Sequence, residues 1–276
     1  MHKATFTTSD GSVFDVSGAF DTLMFGTDLA GWEWNSVNSG FVREKRTYTV
    51  ELIAGTKEQR TRIEKLLMLA DYDTERGLPD RLEVDGWYIE CNITKGSVAN
   101  WYSENRVWSL DLSVSSPLWR RETSYDFIPQ QGTEQEISGI DYPHDYPHDY
   151  GSSGRADTFT VDAHTPCDFR ITVFGYAIKP TIHIDDNTYG VNVTVQDRGL
   201  LVIDSTKKAS MAHDSVVLKD AYGNCQDVFS SRIQGAKGSG SYIFEQITPG
   251  DHTVTWDQSW GFNLAIIERR AALPWI

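Results

Sequence analysis

The chain has 276 residues, 39% of them hydrophobic and 12% aromatic, which is enough apolar material for packed cores, suits two ordinary domains and argues against a disordered chain. Its formal net charge of −14, from 39 acidic against 25 basic residues, excludes a surface that grips duplex phosphates, since such binders need a basic stripe to displace counterions. Cys91, Cys167 and Cys225 are too scattered for a disulfide scaffold or a C-x-x-C site, and no apolar run approaches the ~20 residues needed to span a bilayer.

The N-terminal stretch MHKATFTTSDG lacks the apolar centre of a secretory signal. Synthesis in a reducing cytoplasm, with no membrane insertion, is therefore expected, and the sequons at Asn92 and Asn192 carry little weight. RTYTVELIAG, residues 46–55, alternates Tyr48, Val50 and Leu52 with polar residues and predicts a strand. In TKEQRTRIEKLLMLADY the apolar positions Ile63, Leu66, Leu67 and Ala70 form one helical stripe, and Thr56 with Gln59 has the spacing of a capping box, predicting a helix over 57–71. LEVDGWYIECNITKG, residues 82–96, carries a tight-turn signal at Asp85-Gly86 between two strands. RVWSLDLSVS, residues 106–115, alternates again. The first half, residues 1–135, thus reads as a β domain carrying one helix.

Residues 129–157 lack apolar periodicity and are rich in Gly, Pro and Ser, which is linker chemistry, and we place the linker itself at 136–157. From Thr158 the pattern is strands alone: TFTVD, FRITVFG, PTIHID, TYGVNVTV, GLLVID, DSVVLKD, SYIFEQI, DHTVTWD and FNLAIIER. Short strands at close, regular spacing predict an antiparallel β-sandwich over 158–276. The fold class is mainly β.

The linker contains DYPHDYPHDY, that is Asp141, Tyr142, Pro143, His144, Asp145, Tyr146, Pro147, His148, Asp149 and Tyr150. Two histidines four apart share a face only on a helix, and Pro143 and Pro147 forbid that helix. A stiff, aromatic-bearing connector is expected instead of a metal site. DDNTYG from Asp185 begins like a calcium loop, but Tyr189 and Gln196 stand where oxygen ligands belong, so a plain β-turn is expected. No G-x-S-x-G elbow, catalytic cysteine signature or phosphate-binding glycine loop is present, and 39 acids supply pairs everywhere without marking a glycosidase. Catalysis, cofactors and metals are not expected. Trp256 and Trp260, flanking a DQS turn, are the candidates for stacking on sugar rings, against the commoner fate of tryptophan in a core.

The order of parts resembles the distal tail protein family of long-tailed, non-contractile bacteriophages. The resemblance rests on RTYTVELIAG with the following helix, GLPDRLEVDGWYIECNIT, DYPHDYPHDYG between the two halves, then KPTIHID, GLLVIDSTKK, ITPGDHTVTW and a terminal ERRAALPW. It implies an N-terminal ring-forming β domain with a helix and a galectin-like C-terminal sandwich outside the ring. It further implies a homohexamer closing the distal end of the tail tube in the virion. Such a hub joins the tube protein to tail-tip and receptor-binding components, and its lumen passes viral DNA in transit. Head-to-tail contacts between identical N-terminal domains would close the ring, and the strands around Tyr48–Leu52 and Trp87–Ile93 are expected in that domain's core or interface. The family's linker often carries other residues where His144 and His148 stand, which makes protonation near pH 6 a conceivable modulation. The alternative function is a carbohydrate-binding module contacting wall glycans through Trp256 or Trp260.

Overall fold

The computed structural model describes residues 3–17, 22–25, 29, 31–38, 40–43, 46–99, 106–114, 116–129, 157–210 and 214–274. These form two compact units, one of residues 1–122 with 269–276 and one of residues 123–268. The predicted linker 136–157 lies outside the described residues, save Asp157 at the start of a strand.

The first unit contains β1 (Ala4–Thr7), β2 (Val13–Asp15), β3 (Thr22–Phe25), β4 (Asn35–Val37), β5 (Gly40–Val42), β6 (Arg46–Ala54), α1 (Lys57–Arg76), β7 (Asp80–Val84), β8 (Trp87–Ala99) and β9 (Arg106–Val114). The strand β10 (Trp119–Phe127) begins in it. One ladder runs β2-β1-β7-β8 and a second runs β3-β6-β9-β8, all antiparallel. The long strand β8 serves both. Its Trp87–Cys91 half pairs with β7, its Asn92–Ala99 half pairs with β9, and a register shift falls between Ile93 and Lys95. A bulge bends and twists a strand, which lets one strand turn the corner between two ladders.

Alternation decides which side chains enter the core. Tyr48, Val50 and Leu52 of β6 and Trp108, Leu110 and Leu112 of β9 point inward, and their polar neighbours point out. Trp87, Ile89 and Cys91 join the same core. The predicted turn at Asp85-Gly86 has positive φ at both residues, 49° and 80°, as a two-residue hairpin turn between Val84 and Trp87 requires.

The helix α1 starts where expected. The Thr56 hydroxyl accepts from the Gln59 amide at 3.2 Å, and the Gln59 side chain accepts from the Thr56 amide at 2.9 Å. It ends five residues later than the apolar stripe predicted, because Asp73 continues the buried face after Ile63, Leu66 and Ala70. Gly77, left-handed at φ 68°, then caps the helix by donating to the carbonyls of Asp73 and Thr74.

The second unit holds β11 (Asp157–Val161), β12 (Asp168–Phe174), β13 (Ala177–Ile178), β14 (Thr181–Ile184), β15 (Asn187–Gly190), β16 (Thr194–Val195), β17 (Leu200–Asp204), β18 (Val216–Lys219), β19 (Cys225–Asp227) and β20 (Gly250–Trp256), with most of β21 (Gly261–Arg270). One sheet runs β19-β18-β17-β12-β21 and the other β11-β20-β14-β15. Phe169, Ile171, Leu201, Ile203 and Phe262 from the first meet Phe159, Ile182, Tyr189, Val254 and Trp256 from the second in one core, so the unit is an antiparallel sandwich.

One predicted strand is absent. SYIFEQI, residues 241–247, forms turns, with the Glu245 amide donating to the Tyr242 carbonyl at 3.1 Å and a single bridge from Ile247 to Cys167. Ile243 and Phe244 are consecutive and both buried, which strand alternation cannot provide against one core.

Candidate assembly surfaces

The residues singled out in the sequence do not converge. Asp141–Tyr150, including His144 and His148, lie outside the described residues. Trp256 and Trp260 are 7% and 2% exposed, and the Trp256 Nε1 donates to the Trp260 carbonyl at 2.8 Å. Trp256 also meets Phe127 and Phe262 edge-on, with ring centroids 5.7 and 5.4 Å away. Both indoles are core components, so a sugar could stack on them only if the sandwich opened. DDNTYG is a hairpin turn: Asp185, at φ 49°, and Asp186 join Ile184 to Asn187. The Asp185 carboxylate is used within the fold, accepting from the Thr253 amide at 2.9 Å and facing the His252 Nδ1 at 2.6 Å. Those two contacts hold its carboxyl below the ordinary carboxylate range against the opposing effect of burial. Among the described residues no group of three or more His, Cys, Asp or Glu is arranged to hold a metal ion.

Sequence reading missed a buried acidic pair. Asp73, in the last turn of α1, and Asp80, first residue of β7, are 3% and 1% exposed. Asp73 accepts from the Ser9 amide at 2.9 Å and the Ser9 hydroxyl at 2.6 Å, which ties the β1–β2 connection to the end of the helix. Neither carboxyl oxygen of Asp80 has a hydrogen-bond donor by geometry. Burial first, and the neighbouring Asp73 second, raise Asp80 to about 8, whereas the Ser9 contacts keep Asp73 below its ordinary value. Asp80 therefore carries a proton and stands neutral beside the Asp73 carboxylate. Sealed from solvent, the pair meets no substrate and works as a pin. The only sequence signal was the i, i+3 step from Ala70 to Asp73.

The remaining features lie on the surface of the first unit. The β3-β6-β9-β8 ladder has two open sides: among the described residues, β3 pairs with β6 alone, and β8 beyond Cys91 pairs with β9 alone. A strand edge with unpaired amides and carbonyls is a template for another strand. Beside the β8 edge lies a groove of about 410 Å³, floored by the buried Trp108 and walled by Leu67 and Met68 of α1. A small hairpin, β4 with β5, pairs with no other strand among the described residues. It displays Phe41 and follows Trp32 and Trp34, all exposed. At its base the Arg43 guanidinium lies 4.3 Å over the Trp34 ring.

The described residues thus form a mainly β chain of two compact units with one long helix in the first. Its fold is shared with structures from bacteriophage tails. The crystal structure of SPP1 Dit, described as a paradigm of the hub adsorption apparatus in phages infecting Gram-positive bacteria, is 12% identical, with a TM-score of 0.51 over 97% of this chain and 99% of that one. A chain of the phage P2 baseplate in its calcium-activated conformation is 11% identical, with a TM-score of 0.55 over 99% of this chain and all of that one. A chain of the strontium-activated phage p2 baseplate is 13% identical, with a TM-score of 0.53 over 99% of this chain and all of that one. No protein-family model and no curated protein sequence matches the chain.

Proposed function

We propose that the protein is a structural virion component of a bacteriophage tail, a homohexameric hub at the distal end of the tail tube. In this reading it joins the tube protein to tail-tip and receptor-binding proteins and leaves a lumen for the genome. The observation that carries it is the pair of open edges on one ladder, β3 on one side and the second half of β8 on the other. Two different edges of the same sheet are what a head-to-tail contact requires, and such contacts generate a ring when the rotation closes. End-to-end likeness to hub and baseplate chains supports the same reading. The net charge of −14 suits a lumen, because like charge opposes capture of passing DNA.

Light scattering on the purified chain, with negative-stain images, tests the proposal. Six copies of a 31.1 kDa chain give a particle near ~190 kDa with a central hole. A monomer that persists at high concentration, alone and with the tube protein, counts against the ring.

A further inference from the structure

We infer that His252 stands in the second unit as an imidazolium and acts as a proton-operated clamp between the Asp185 turn and the Thr248 turn. This clamp is independent of how copies of the chain assemble. The His252 Nδ1 lies 2.6 Å from the Asp185 Oδ2, and its Nε2 lies 2.7 Å from the Thr248 carbonyl oxygen. Carboxylate and carbonyl oxygens accept hydrogen bonds and cannot donate them, whereas a neutral imidazole has a single N–H. A neutral ring would therefore set one nitrogen lone pair against an oxygen at hydrogen-bond distance. The imidazolium donates to both.

Asp185 is the other place where the second proton could sit. Burial works to raise its carboxyl, yet the Thr253 amide, donating to Oδ1 at 2.9 Å, and the His252 ring together hold it below the ordinary carboxylate range. The carboxylate is thus the charged partner, and the proton stays on the ring. DDNTYG, which lacks oxygen ligands at two calcium positions, uses its first carboxylate on a histidine 67 residues away.

The surroundings suit a cation. His252 points inward from β20 and is 5% exposed, with the Phe159 ring of β11 tilted against it at a centroid distance of 5.1 Å. A charge so placed needs a partner of opposite sign and donors matched to acceptors. Asp185, Asp186, Tyr189 and Glu245 line a cavity of about 310 Å³ with it, and no lysine or arginine lines that cavity. Burial holds the Tyr189 hydroxyl above the ordinary tyrosine range, so it stays neutral. Asp251, the neighbour on β20, is exposed and accepts from the Thr160 hydroxyl at 2.7 Å.

Loss of the proton acts on the weaker of the two contacts. A carboxylate holds a donor more strongly than a carbonyl does, so the remaining N–H stays on Asp185. The Asp185 turn is also tied to β20 by its amide, which donates to the Thr253 carbonyl at 2.9 Å. The Thr248 carbonyl is then left facing a lone pair and withdraws, which loosens the cavity wall that Thr248 and His252 form together. Because the fold binds the proton, the clamp stabilises the second unit at low pH, and that contribution is lost as pH rises.

Nuclear magnetic resonance on the full chain labelled with ¹⁵N-histidine tests the charge, with the His252 ring assigned by its contact to Phe159. Two ring N–H resonances are expected at pH 7 in the parent and one in Asp185→Asn. Denaturation tests the clamp. The unfolding constant of His252→Gln, whose amide carries no charge, should exceed that of the parent at least about tenfold at pH 6 and by about threefold or less at pH 9. The Asp73–Asp80 pair is common to both chains and cancels in the comparison. A single ring N–H at pH 7 in the parent overturns the inference, whether or not His252→Gln folds. A parent-to-variant gap that is the same at both pH values overturns it too, and leaves His252 a packing residue.

Discussion

With a proton on Asp80, the Asp73–Asp80 pair holds a single negative charge in the core, and Ser9 accommodates it with two hydrogen bonds. The sign of the pH dependence follows. Asp80 titrates at about 8 in the fold against an ordinary 3.8, so over that window the folded chain binds more protons than the unfolded one. Its contribution to stability is fully present below about pH 4, falls as pH rises to about 8 and stays low above that. Asp73 acts oppositely: its contribution is present above the ordinary carboxylate range and is lost as pH falls through its lowered folded value. The exposed Asp10 adds to the repulsion on Asp80, and Lys65 lies near enough to Asp10 to moderate it. On the far side, burial and the charge of Asp80 push the Cys91 thiol up to about 12, so it stays neutral. Asp80→Asn replaces the protonated carboxyl by an amide donor. It is expected to raise stability at pH 8.5 by about 1–3 kcal/mol and to change little at pH 5, checked by thermal melts at both values. A variant that loses stability equally at both would refute the proton on Asp80. None of this was legible in the sequence, where Asp73 and Asp80 are two acids among 39.

The elements that could be read in advance are those where local chemistry and tertiary demand agree. Thr56 and Gln59 announce the start of α1 and are found making both capping bonds. Thr56→Ala is accordingly expected to cost about 1 kcal/mol, measured by urea denaturation, with Thr56→Ser nearly neutral. The end of α1 was hidden because its last buried position is a carboxylate, whose burial depends on a serine 64 residues away. Likewise 241–247 has strand composition, yet Phe244 leaves alternation to stack on Phe229, with ring centroids 5.8 Å apart at an interplanar angle of 10°. Propensity yields there to a contact that no local pattern encodes. The two tryptophans are the same lesson in reverse: a position beside a polar turn suggested exposure, but the indole of Trp256 finds its acceptor in the Trp260 carbonyl and both rings go inside. Trp256→Ala is expected to cost about 3–5 kcal/mol through the cavity it leaves, with sugar binding absent before and after, read by denaturation and titration calorimetry.

Chain order and compact units differ at the scale of the whole molecule. The second unit begins at Thr123, inside β10, and ends at Glu268, inside β21, after which residues 269–276 belong to the first unit. The sequence gives no hint of that return, since ERRAALPW reads as the tail of the strand that precedes it. Its residues nevertheless contribute to the first core: Leu273 is 5% exposed within it, the Leu273 amide donates to the Leu29 carbonyl at 3.2 Å, and the Arg270 guanidinium lies 4.7 Å over the Trp87 ring. The first unit thus depends on both ends of the chain. Leu273→Ala removes a buried leucine from that core and is expected to destabilise it by about 2–5 kcal/mol. Hydrogen exchange separates this from a general loss. Amides of β6 and β9 around Val50 and Leu110 should lose protection, and those of β12 and β17 around Ile171 and Leu201 should keep it. Equal loss in both would mean that the units unfold as one. Because the open edges of β3 and β8 belong to the first unit, the same substitution is expected to weaken assembly while leaving the second sandwich folded.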